Sequence, residues 1–154
     1  MIEKKPKIAI SIGDLNGIGI EIALKCHEKI SKICTPIYCI NNKMLKLASE
    51  ELKVQIPNDF EIFKTKGEFE IKPGIVSKKS GRYSYDSFMD AINLAKNNEV
   101  DAICTLPINK EAWNKANIKY KGHTEVLRDF FGKNAIMMLG CKKMFVGLFT
   151  EHIP

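Results

Sequence analysis

Short β-branched runs alternate with stretches of helical apolar spacing along most of the chain, and no other feature restricts the fold as much. Residues 7–13 read Lys-Ile-Ala-Ile-Ser-Ile-Gly, a buried strand closed by glycine. A helix is predicted over about 17–31, with Ile20, Ala23, Leu24 and Ile30 on one stripe. His27 falls on that stripe and is expected to be a packed core or boundary residue. Residues 36–40 read as a second strand, 43–52 as a second helix and 60–63 as a short strand. Residues 64–81 hold Gly67, Pro73, Gly74 and Gly81 without a sustained period, which predicts a loop with one short strand near Ile75. A helix follows over about 84–97, with Tyr85, Phe88, Met89, Ile92 and Ala95 on one face. Asp86 sits in its first turn, where negative charge suits the helix dipole. Residues 101–105 form another predicted strand, ended by Pro107. Short helices are predicted over 109–116 and 124–131. The last two apolar runs, 135–139 and 144–149, flank Gly140-Cys141-Lys142-Lys143 as in a hairpin, and the second reads as a buried strand. Strands alternating with helices predict an α/β domain with a largely parallel sheet.

Composition narrows the function. The 154 residues suffice for a real core. No apolar run reaches the roughly 18 residues of a membrane span. The charged N-terminus leads into too short an apolar run for a signal peptide. The expectation is a cytoplasmic protein with no membrane partner. A net charge of +6 can attract phosphate-bearing ligands or nucleic acid. However, the lysines are spread along the chain, and the arginines are only Arg82 and Arg128. Base-specific readers lean on arginine, so no nucleic-acid partner is expected. Cys26, Cys34, Cys39, Cys104 and Cys141 form no Cys-x-x-Cys pair, and their odd number argues against a disulfide framework or a zinc ribbon.

Four segments carry candidate chemistry. Gly13-Asp14-Leu15-Asn16-Gly17-Ile18-Gly19-Ile20-Glu21-Ile22 lies where a strand turns into a helix, so its glycines let backbone approach a ligand near a helix N-terminus. It matches neither the dinucleotide fingerprint nor a P-loop, and a plain tight turn reads equally well. In residues 101–110, Thr105, Asn109 and Lys110 follow a strand, where α/β proteins place their sites. The structural alternative has Asn109 capping the next helix and Lys110 in solvent. In Gly122-His123-Thr124-Glu125, Thr124 is a candidate helix N-cap. His123 either contacts an anionic or carbonyl group or is a surface residue. Thr150-Glu151-His152 follows a strand end, but a catalytic zinc usually takes three protein ligands, and the chain has three histidines in all, His27 included.

Together and in this order the segments resemble the 4-hydroxythreonine-4-phosphate dehydrogenase family. The resemblance rests on Gly-Asp-x-x-Gly-Ile-Gly-x-Glu at 13–21, Ala91-Ile92, Asp101-Ala102, and Thr105-x-Pro107-Ile108-Asn109-Lys110. It continues through Gly122-His123-Thr124-Glu125, Met137-Met138-Leu139 and Thr150-x-His152-x-Pro154. It is colinear and spans nearly the whole chain. Where the family opening usually has Pro, Ala and Pro, this chain has Leu15, Asn16 and Ile20.

The resemblance implies a three-layer α/β/α fold like that of isocitrate and isopropylmalate dehydrogenases, present here in part. Residues 1–120 would hold most of a first domain, and 121–154 a cleft segment and the start of a second. It implies a homodimer with its active site at the subunit interface, NAD as cofactor, and a divalent metal (zinc, magnesium or cobalt) held by three histidines. The substrate would be 4-phosphooxy-L-threonine, oxidised to a β-keto acid that loses carbon dioxide on the route to pyridoxal 5'-phosphate. By position, His123 and Thr124 would bind substrate and His152 would be a metal ligand, with the other two ligands beyond the last residue here. No residue is singled out as general base. The same motifs suit dehydrogenases of phosphorylated threonate or erythronate. A different class of reading is an inactive fragment, at most an anion-binding or dimerising module. These 154 residues alone are expected to be inactive and poorly stable.

Overall fold

The structure, a computed structural model, describes residues 5–133 and 136–148. Two compact units divide the chain at residues 119 and 120.

In the first unit, β1 (Lys7–Ser11), β2 (Thr35–Cys39), β3 (Ile62–Phe63) and β4 (Ala102–Thr105) form one parallel sheet in the order β3-β2-β1-β4. Between the strands run α1 (Gly19–Ile30), α2 (Asn42–Leu52) and α3 (Lys78–Lys96), and α4 (Lys110–Lys115) follows β4. Successive strand residues face opposite ways, and this builds two cores. Ile10 packs in one core with Ile20 and Leu24 of α1 and Met44 of α2. Its neighbour Ala9 packs in the other with Ala91 and Leu94 of α3. The sheet therefore lies between helical layers, as the alternating pattern predicts. His27 is buried on the α1 stripe, with Nδ1 3.0 Å from the Tyr38 hydroxyl and Nε2 3.1 Å from Asp59 Oδ1.

Asparagine and serine start three of the helices. Asn41 Oδ1 accepts from Met44 N–H, Ser77 Oγ from Ser80 N–H, and Asn109 Oδ1 from Ala112 N–H. Each satisfies an orphan donor of the first turn. The Asn109 cap agrees with the structural reading of that residue, and Lys110 is exposed.

Helix α3 corrects the sequence expectation. It begins at Lys78, not near Ser84, and no strand forms near Ile75. The first two turns bury Ser80, Gly81 and Ser84, with Tyr83 as the one large side chain among them, so they carry no hydrophobic period. Gly81 is a packing residue within the helix, because a Cβ there would lie 2.1 Å from the Ala112 carbonyl oxygen. Trp113 of α4 is fully buried, and its indole N–H donates to Ser84 Oγ at 2.7 Å.

The second unit holds α5 (His123–Phe131), β5 (Met138–Cys141) and β6 (Met144–Gly147). The strands pair antiparallel, Cys141 opposite Met144, so the turn is Lys142-Lys143 alone. Both strands are exposed, Phe145 by 65%, although each run has the apolar character of a buried strand. An apolar run signals burial only where a further layer covers it, and a lone hairpin has none. Among the described residues no helix is long and apolar enough to cross a membrane.

Candidate functional site

Strand order locates the site. Chain progression from β1 runs outward to β2 and β3, then returns to place β4 on the other side of β1. β1 and β4 therefore flank the point where the strand order reverses, and the carboxyl ends of the strands there are the usual ligand position in open parallel sheets.

Two main-chain bonds lace these loops together. Leu106 N–H donates to the Ser11 carbonyl at 3.1 Å, and Asp14 N–H to the Pro107 carbonyl at 2.9 Å. So close an approach requires Gly13, whose φ is +71° and whose missing Cβ would lie 2.3 Å from the Pro107 oxygen. Only glycine adopts such a conformation without penalty. Above this contact lies a cleft of about 250 Å³. Its walls are the β1–α1 turn (Asp14, Asn16, Gly17, Ile18), residues 74–76 and residues 107–109. Parts of the first and second candidate segments thus meet at one place, with Thr105 exposed at the end of β4.

Asp14 is the buried charge of the cleft, 5% exposed. Burial pushes its carboxyl above the ordinary aspartate value, while the Asn16 N–H, 2.9 Å from Oδ1, and the Ser80 hydroxyl pull it back. A perturbed carboxyl in a cleft marks a candidate functional group. Because the folded pKa is the higher one, the folded protein keeps this proton to higher pH than the unfolded chain. Stability tied to Asp14 is therefore present at low pH and falls as pH rises through the raised pKa. Asp14→Asn removes that dependence. The stability of the variant relative to the parent, from urea melts, is expected to be greater at about pH 7 than at about pH 4. A pH-independent difference would mean that Asp14 titrates as in the unfolded chain.

The walls at residues 74–76 and the role of Ser80 escaped the sequence reading. The Ser77-x-x-Ser80 spacing was a signal for the helix start that brings Ser80 to Asp14. On the second unit, His123 opens α5 and Thr124 lies inside its first turn. Gly122 holds the N-cap position without a side-chain bond, so Thr124 is not the cap. His152, with Thr150 and Glu151, lies outside the described residues. Among those described, no group of three or more His, Cys, Asp or Glu is placed to hold a metal.

Residues 32–154 match the family described as pyridoxal phosphate biosynthetic protein PdxA. The chain belongs to the PdxA family. The 4-hydroxythreonine-4-phosphate dehydrogenase of Sulfurimonas denitrificans is 61% identical over 150 residues, covering 97% of this chain and 49% of that protein. The enzyme of the same name from Campylobacter fetus is 58% identical, over 96% of this chain and 48% of its own length. The chain thus spans about half the length of the curated PdxA relatives it matches. The crystal structure of a 4-hydroxythreonine-4-phosphate dehydrogenase from Burkholderia phymatum superposes with a TM-score of 0.84 at 28% identity, over 99% of this chain and 52% of that one. The parallel sheet and its helical layers are those of the PdxA fold, present in part.

Proposed function

We propose that the full-length PdxA protein containing this chain is an NAD-dependent dehydrogenase. It oxidises 4-phosphooxy-L-threonine to a β-keto acid that decarboxylates, in pyridoxal 5'-phosphate biosynthesis. The observation that carries the reading is the cleft at the switch point of the sheet, in a chain whose relatives bear this dehydrogenase name. The cleft fits part of a dinucleotide: glycine backbone at Gly17, apolar walls at Ile18 and Ile75, and a buried carboxyl at Asp14. Asp14 and the 107–109 turn would hold and orient that part. His123 and Thr124 would bind the phosphorylated substrate. His152 would contribute to a divalent-metal site completed by residues outside this chain. When bound, NAD accepts the hydride and the metal supplies Lewis acidity at the substrate hydroxyl. We read residues 1–120 as most of a first domain and 121–154 as the entry to a second, in a cytoplasmic homodimer with its site at the subunit interface.

The test is an assay of the purified full-length protein with 4-phosphooxy-L-threonine and NAD. NADH formation is expected, with loss of turnover on exhaustive chelation and recovery on adding back zinc, magnesium or cobalt. Turnover that survives chelation would remove the metal from the reading. Absence of NADH formation in the metal-loaded protein would remove the reaction.

A further inference from the structure

We propose that Asn16 is a positioning residue of the cleft, acting by holding residues 72–75 as a fixed wall. The proposal rests on the reading of this cleft as the dinucleotide site.

Asn16 is 5% exposed, and both its main-chain and both its side-chain polar groups are bonded. Its N–H donates to Asp14 Oδ1 at 2.9 Å. Its carbonyl accepts from Gly74 N–H at 2.8 Å. Its Oδ1 accepts from Lys72 N–H at 2.9 Å, and its Nδ2 donates to the Ile75 carbonyl at 2.7 Å. Three of these four bonds cross more than fifty residues of sequence to one short segment.

That segment needs outside support. Residues 64–77 belong to neither helix nor sheet, so their main-chain groups must find partners elsewhere. The tight turn at 72–75, closed by Ile75 N–H to the Lys72 carbonyl at 3.0 Å, has Gly74 at φ +77°. Beyond the turn, Ile75 is 55% exposed and lines the cleft together with Val76. A side chain so exposed has little packing to position it. The wall stands where Asn16 ties the main chain on either side of Gly74. The carboxamide suits this task because it presents a donor and an acceptor at once. Alanine at this position would supply neither. Asn16 thus links the two sides of the cleft: Asp14 through its N–H, the wall through its side chain and its carbonyl.

The experiment compares the full-length protein with its Asn16→Ala variant. Hydrogen exchange over residues 69–77 is expected to accelerate about tenfold, with α2 unchanged, since two bonds to the segment are lost. The KM for NAD is expected to rise about fivefold with kcat within about twofold, because loss of a preformed wall weakens binding and not chemistry. Asn16→Asp keeps the Lys72 acceptor but not the Ile75 donor, and should fall between the two in exchange. Unchanged exchange in Asn16→Ala overturns the pin. Faster exchange with an unaltered KM, or equal loss in kcat, overturns the role in ligand binding. If the parent itself fails to bind NAD, the functional reading fails and the role in NAD binding with it. The exchange measurement then still decides whether Asn16 holds the wall.

Discussion

Alanine in place of His152 is expected to lower turnover of the full-length protein by at least about 100-fold while leaving it folded. A three-histidine site of the kind proposed would lose affinity and geometry together with one ligand. The contrasting variant is His27→Ala. His27 lies buried between Tyr38 and Asp59, with Phe60 packed at 5.0 Å. Its loss leaves the fully buried Tyr38 hydroxyl without a bond and opens a cavity, costing about 1–3 kcal/mol for the orphaned group alone. The two variants should therefore fail in opposite ways. His152→Ala keeps its melting temperature and loses bound metal in elemental analysis. His27→Ala melts early and retains metal and turnover per folded molecule. If His152→Ala keeps stoichiometric metal, or both variants melt early, His152 is structural and the metal assignment is wrong.

What could be read before folding depended on how local each signal was. β1, α1, β2 and α2 announce themselves because β-branched runs and 3.6-residue periods are written in consecutive residues. Asn109 was legible as a cap for the same reason. The start of α3 was not, since Gly81 looks like a helix breaker until α4 is packed against it and the space for a Cβ proves to be filled by Ala112. Thr124 failed as a cap because helix starts shift by one or two residues with backbone geometry that side-chain identity does not specify, and here the cap is Gly122. At the site, the glycine-rich turn and the loop after β4 were each legible as candidates. Their union was not, because it follows from β4 crossing to the far side of β1, a pairing between residues more than ninety apart. Asn16 was visible only as a departure from the family opening. Its meaning appears once residues 72–75 lie against it.

Replacing Gly13 with alanine tests that union. At φ +71° an L-residue pays about 1–2 kcal/mol for the left-handed conformation. The added Cβ also lies 2.3 Å from the Pro107 oxygen, a backbone atom that cannot rotate away. Relieving such overlap by moving a loop costs about a further 1–3 kcal/mol, against a total stability of about 5–15 kcal/mol. The loop that moves carries the Asp14-to-Pro107 hydrogen bond, so the cleft should open as the protein weakens. Gly74→Ala separates the two terms. Gly74 has φ +77° with nothing within 4 Å of its would-be Cβ, so alanine there pays the conformational cost alone. In urea denaturation of the full-length protein, Gly13→Ala is expected to be less stable than Gly74→Ala by about 1–3 kcal/mol. It should also lose NAD binding to a greater degree. Equal destabilisation would mean that the loops after β1 and β4 do not meet at Gly13, and that the cleft they frame is not built as described.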